Sequence, residues 1–266
     1  MTFFHAYAAE WLKLRRSLAL WMVIIGGFFT PAIIIVARFV NYASLPQLYA
    51  NEDFWPKLWR NSWESMAVFF LPLGAILTTS LIAQLEYKNN TWKQLHTLPL
   101  SYATIFLSKL SVILTLMAIF FVLFNIGIYL SAVIPCLAVL KTDGSALSNL
   151  HSGLTAHLPR FLSEDLFYFI DCLPIVALQY LLALKFKNFL VPVGLGFLLW
   201  VGAIGSVSWR FGYIVPYTYT MFFYLKDAEK TRAVMPDVNI HILAVGFFVV
   251  ITAVSFALYA SNKEKG

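Results

Sequence analysis

The stretch EYKNNTWKQLHTLPLSYATIFLSKL, residues 86–110, stands between two strongly apolar runs. It is too long to be only a turn. Asn89, Asn90 and Thr91 are residue types that cap helix N-termini. A short helix can start there with Trp92 and Leu95 on one face. Leu98 follows, and Pro99 ends the helix because a proline steers its predecessor out of the helical region. Ser101 can cap the next helix. Glu86 sits at the mouth of the preceding run and Lys109 lies early in the following one, so the two can pair across the entry of the loop. Trp92 and Leu95 gain nothing by facing water. Such a face lies on a membrane surface or inserts into a partner's cleft.

The chain around this stretch is unusually apolar. Of 266 residues, 60% are hydrophobic and only 12% are charged, against about 25% charged in a soluble domain. The mean hydropathy of +0.76 agrees. There is too little polar surface to cover a water-soluble globule, so lipid is the expected solvent. A bilayer core asks for about 20 apolar residues per helix. Six stretches qualify: 18–40, 65–85, 104–140, 166–186, 189–207 and 242–260. The expected fold is therefore an all-α polytopic membrane protein with six transmembrane helices in one domain, residues 1–266. The third stretch has only a weak break at Asn125-Ile-Gly127 and carries no charge there, which favours one long helix over a hairpin. No internal repeat is visible.

Six spans put both termini on one side. Ten Lys and Arg fall in the segments on that side and nine in the others. The ten lie in short segments beside the spans, where the positive-inside bias is strongest, so both termini are expected in the cytoplasm. The formal net charge of +6 then reads as attraction to the membrane surface, not as a nucleic-acid footprint. Before the first span, within residues 1–17, Phe4, Tyr7, Trp11 and Leu14 line one helical face, which Leu18 continues. Glu10, Lys13, Arg16 and Ser17 fall largely on the other. This predicts an amphipathic interfacial helix. Trp55, Trp59 and Trp63 share a face on the outer side. The run from Tyr213 to Leu225, with Pro216 and Tyr217 inside it, is too short to span. Both are expected as aromatic belts or re-entrant pieces, with a gate over a pathway as the functional alternative.

Sites of chemistry are scarce. There is no GxxxxGK[ST] phosphate loop, no HExxH pair and no GxSxG elbow. The two cysteines, Cys136 and Cys172, are expected as buried small hydrophobes rather than as a disulfide. His151, His157, Glu164 and Asp165 share an outer loop but do not specify a metal site. Asp171 falls about 8 Å of helix rise into the fourth span. A charge there costs about 2.5–3.5 kcal/mol on insertion scales. A hydrated Asp near the interface accounts for it; a pathway-lining or gating residue is the functional alternative. Arg38, near the outer end of the first span, is at a compatible depth to partner it.

With these residues in view, the stretch at 86–110 resembles the first cytoplasmic loop of type-2 ABC transporter permeases, the membrane subunits of ABC exporters. The positions that carry the resemblance are Glu86, Thr91, Leu95, Leu98, Pro99, Ser101 and Lys109. AEWLKLRRS, residues 9–17, looks like that family's N-terminal connecting helix, and YIVPYTY, residues 213–219, resembles its outer segment between the last two spans. Tyr102 stands where many members carry Arg, so a contact made by that Arg is in doubt here.

The resemblance implies a coupling helix within the loop at 86–103. Trp92 and Leu95 would fill a groove in a separate ATPase subunit, and Glu86, Lys88 and Lys93 would make rim contacts. It implies a dimer of permease subunits, identical or not, with a path lined by the second and fifth spans. ATP and Mg would bind the partner ATPase, with no cofactor on this chain, in the cytoplasmic (inner) membrane of a bacterium. Peptide antibiotics, lipid-like molecules and drugs are the cargo classes of such exporters, including bacteriocin- and lantibiotic-immunity-like systems. Two other readings stay open: a membrane-embedded enzyme, for which no convergent polar set is found, and a non-transport assembly or immunity subunit.

Overall fold

The computed structural model of the protein describes residues 3–15, 17–88, 101–139, 145–186, 188–227 and 238–261. Within them every long element is a helix. This is what lipid demands, since a backbone polar group with no water must be satisfied inside its own segment. The elements are α1 (Phe3–Leu14), α2 (Leu18–Val40), α3 (Leu45–Tyr49), α4 (Phe54–Ser65), α5 (Leu71–Lys88), α6 (Tyr102–Val139), α7 (Ser145–Lys185), α8 (Leu190–Ser206), α9 (Tyr219–Asp227) and α10 (Ile240–Ser261). A π-helical turn at Met66–Phe70 joins α4 to α5, so the two run as one rod.

Among the described residues, five helices are long and apolar enough to cross a membrane: Leu18–Val40, Phe54–Leu85, Tyr102–Ala138, Leu150–Lys185 and Ile240–Ser261. The fifth expected span, 189–207, coincides with α8, which has 17 residues. At 1.5 Å per residue that is about 25 Å, short of the ~30 Å hydrocarbon core. Residues 104–139 of the third expected stretch lie in one 38-residue helix, α6. The segment around 145–165, expected as a loop, is helical and continues into the span as α7.

Helix α7 is the centre of the bundle. It packs on α10 and α5, and also meets α4, α6, α8 and α9. The other close pair is α2 with α6, and glycines bring them together. A Cβ on Gly27 would lie 3.0 Å from Leu123 Cβ, and one on Gly127 only 2.6 Å from Pro31 Cγ. Gly127, the weak break in the sequence, is thus a packing contact inside an unbroken helix.

Two surface expectations are corrected. Helix α1 lies against α6, with Tyr7 hydroxyl 3.0 Å from Thr115 Oγ1. Leu14 and Glu10 are buried, while Phe4 and Leu18, placed on the apolar face, are exposed. Glu10 tolerates burial because Lys13 Nζ donates to it at 2.6 Å. The tryptophans of α4 are not a surface belt either. Trp55, Trp59 and Trp63 are all buried, and Trp63 stacks on Tyr168 of α7 with centroids 3.7 Å apart. Helix α4 points its aromatic face inward because α7 extends outward far enough to receive it.

The α2–α6 contact makes a prediction. Gly127→Ala should lower stability by about 1–3 kcal/mol, because the rigid Pro31 ring cannot yield to an added methyl. Gly202→Ala, where the new Cβ meets nothing within 4 Å, should be neutral or stabilising. Thermal unfolding of both variants in the same detergent checks this, and an unchanged midpoint for Gly127→Ala would contradict the packing described.

Candidate functional site

Prolines inside membrane helices free carbonyls, because proline has no N–H to give the residue four positions earlier. Pro72 and Pro135 each free one in this way, and side chains from other elements take them up. Pro72 releases Val68, whose carbonyl accepts from Trp200 Nε1 of α8 at 2.9 Å. The adjacent π turn, with Leu71 N–H bonded to Met66 O, shifts the neighbouring acceptor too. Ala67 O accepts from Thr220 Oγ1 of α9 at 2.9 Å. Pro135 releases Ser131, whose carbonyl accepts from Arg38 Nη1 of α2 at 2.5 Å. Tyr49 hydroxyl donates to the next carbonyl, Ala132 O, at 2.6 Å. Burial pushes the Tyr49 phenol up from its ordinary value, so it stays a donor.

A second joint is built on Gln179 of α7, which has no exposed surface. Its Nε2 donates to Ser80 Oγ of α5 at 2.8 Å and to Pro192 O of α8 at 2.7 Å. Its Oε1 receives a long contact from Tyr217 hydroxyl at 3.4 Å. All its polar capacity is used within protein, which a buried amide in lipid needs. Gly196 of α8 lies against it, so that a Cβ there would meet Gln179 Oε1 at 2.5 Å. Three membrane helices and the turn at Pro216–Thr218 meet at this side chain.

The expected site residues of the outer half are placed as follows. Tyr217 is fully buried, and burial raises its phenol pKa. Tyr213 is half-buried, and its carbonyl accepts from Tyr219 hydroxyl at 2.8 Å. Pro216 opens the turn that leads into α9. The run at 213–225 is therefore not an aromatic belt: Tyr217, Tyr219, Phe222 and Tyr224 pack inward. Asp171 has no exposed surface and does not partner Arg38. Its Oδ1 lies 2.8 Å from His241 Nδ1 of α10, and the imidazole stacks on Phe167 with centroids 4.4 Å apart. Arg38 is instead spent on Ser131 O and on the rings of Tyr49 and Phe54, 5.7 and 5.0 Å from its guanidinium carbon.

The other candidate residues sit at the polar stretch between α5 and α6. Thr91, Trp92, Lys93, Leu95, Leu98 and Pro99 lie outside the described residues, as do the side chains of Glu86 and Lys88. The short helix and the Glu86–Lys109 pairing therefore also lie outside them. Two features at the edge are described. Ser101 Oγ accepts from Thr104 N at 3.2 Å and so caps α6, and Lys109 is buried.

An apolar groove of about 380 Å³ lies between α2, α5 and α6, with Gly26, Phe29, Phe70, Gly74 and Phe120 in its walls. Thr78 is its one polar side chain. No group of three or more His, Cys, Asp and Glu that could hold a metal occurs among the described residues. What the arrangement offers is a set of polar joints between helices, beside an apolar groove. Gln179, Trp200, Thr220 and His241 were missed in the sequence. For Trp200 a signal existed, since Pro72 in an apolar run announces a carbonyl that some donor must meet.

A family model described as ABC-2 family transporter protein matches residues 7–203. No curated protein matches the sequence. The matched range includes α1 from Tyr7 onward, the polar stretch at 86–110, Gln179 and Trp200.

The proline joint is testable by a double-mutant cycle. Trp200→Phe should cost about 1–3 kcal/mol by leaving Val68 O without a donor in a buried setting. In a Pro72→Ala background, residue 72 regains an N–H that can serve that carbonyl, and the cost should fall to a few tenths. Equal penalties in both backgrounds, read from unfolding midpoints, would show that the indole N–H has another role.

Proposed function

The chain belongs to the ABC-2 transporter family, and we propose that it is the membrane-spanning permease subunit of an ATP-driven exporter, worked by ATPase subunits on separate chains. The observation that carries this reading is the family match across residues 7–203 on a multi-pass helical chain. The GxxxxGK[ST] signature is absent from the sequence, which fits an engine supplied by a partner that binds ATP and Mg.

In this reading the stretch at 86–103 holds the coupling helix. Trp92 and Leu95 enter a cleft of the ATPase, while Glu86, Lys88 and Lys93 make contacts at its rim. Thr91, Leu98, Pro99 and Lys109 shape the segment and its junction with α6. It is tied to two long rods: α5, continuous with α4, and α6. A push at the loop is therefore delivered along helices of 32 and 37 membrane-spanning residues. Two permease subunits pair, and α5 and α8 line the path between them. The donors from α8 and α9 onto the π turn of the α4–α5 rod, together with the Gln179 joint, are the contacts that re-form as α5 moves. Asp171, Arg38, Tyr213, Pro216 and Tyr217 belong to the outer closure of that path. The chain sits in the cytoplasmic membrane of a bacterium with both termini in the cytoplasm.

The test is a mild-detergent pull-down of tagged protein, with stoichiometric partners identified by mass. An ATP-binding subunit should be recovered. Trp92→Ala should weaken its retention by at least about tenfold, as loss of a buried aromatic anchor does, with membrane insertion unchanged. Undiminished ATPase association and activity in that variant would remove the docking role of Trp92. A clean preparation with no ATP-binding partner in several detergents would remove the permease reading itself.

A further inference from the structure

Where α4, α6 and α7 meet, a half-open cavity of about 260 Å³ is walled by four aromatic rings, Trp55, Trp59, Tyr129 and Phe161, with Asn125 as its polar amide. Two of these wall residues donate away from the cavity into carboxylates. Trp59 Nε1 donates to Glu164 Oε2 at 2.6 Å. Asn125 Nδ2 donates to Asp165 Oδ2 at 2.7 Å.

The charges behind the wall do not balance. Glu164 is paired with Arg160 at 2.6 Å. Asp165 is buried, and among the described residues its contact is the neutral Asn125, with Oδ1 left without a hydrogen-bond partner. A buried carboxyl without an ionic partner is neutralised either by a proton or by a cation nearby, and a cation that enters the cavity takes the place of the proton. Donation of the Trp59 N–H to a carboxylate polarises the indole and makes its face more negative. The remaining titratable neighbours are at the rim: His151, 3.3 Å from Tyr129 hydroxyl, and His157, which stacks on Phe161.

We propose that this cavity binds the head of an organic monocation of the quaternary-ammonium class, with the aromatic rings surrounding the cation and Asp165 behind them supplying the opposite charge. Aromatic walls select a weakly hydrated, alkylated cation over Lys or a metal ion, because such a cation gives up little solvation and interacts with ring faces. The volume suits a headgroup rather than a whole drug-sized molecule, which occupies ≈ 300–1,000 Å³. The tail of an amphiphilic cation would lie along the lipid-exposed sides of Ile126 and Leu158, which line the same cavity. The site stands apart from the ATPase-docking role proposed for the loop and does not depend on it.

The experiment is calorimetric titration of the full chain in nanodiscs of phosphatidylglycerol with benzyltrimethylammonium, against its neutral carbon isostere neopentylbenzene. The cation should bind at least tenfold more tightly than the isostere. Asp165→Asn, whose amide oxygen still accepts from Asn125, should remove that preference, and Trp59→Leu should weaken the cation by a similar factor. Equal binding of cation and isostere by the wild-type protein would overturn the proposal, whether or not either variant folds. So would an Asp165→Asn variant with unchanged preference. Repeating the titration in phosphatidylcholine nanodiscs identifies the source of the ammonium group. Competition there assigns the seat to a choline lipid headgroup, and unaltered binding assigns it to a free amphiphilic cation.

Discussion

A carbonyl freed by a proline in lipid has no water to turn to, and much of this structure follows from where such carbonyls find donors. Pro72 and Pro135 each deprive one carbonyl of a long helix of its N–H, and the donors come from elements distant in sequence: Trp200 for Val68 O and Arg38 for Ser131 O. Each donor also fixes the position of the element that carries it. The freed carbonyl thus becomes the point of attachment for another part of the chain. Trp200 and Thr220 tie α8 and α9 to the π turn in polar terms.

The same logic explains the Gln179 joint and the Asp171–His241 pair. A buried amide or carboxylate is costly unless it finds partners: Gln179 joins α7 to α5 and α8, and Asp171 joins α7 to α10. Hydrogen bonds of this kind contribute about 0.5–1.5 kcal/mol net, small beside the burial of aromatic side chains such as Trp63 and Tyr180. They specify which helices meet and at what height more than they hold the bundle together. Joints of that strength can also exchange partners. The glycine contacts between α2 and α6 are of the opposite kind. They are rigid and have no alternative arrangement, so that pair is suited to move as a unit.

The fold class was legible from composition and run length, because apolar stretches of this size have one stable solution in lipid. The single long helix at α6 was legible for the same reason, as no polar turn interrupts it. The burial of Trp55, Trp59 and Trp63 was not. Their spacing shows a shared face, and only α7, continued outward through Phe161 and Glu164, turns that face into core. The length of α8 was overestimated because its apolar flanks, Phe189 and Val207, lie beyond the helix proper. Asp171 was recognised as needing a partner, but Arg38 was chosen by depth alone. His241, 70 residues away, is the partner because α10 packs against α7, and no pattern along the chain encodes that adjacency.

The sequence by itself determined that this protein lives in lipid, that its long elements are helices, and that a polar stretch of sequence separates two of the spans. These are consequences of local composition and of the cost of unsatisfied backbone in hydrocarbon, and they need no knowledge of neighbours. Tertiary structure alone decided which donor meets which freed carbonyl, which charges pair, and that an aromatic cavity backed by Asp165 forms between α4, α6 and α7. Those depend on the angles and heights at which helices cross, set by close contacts such as Gly127 on Pro31 and Gly196 on Gln179, between residues far apart in the chain.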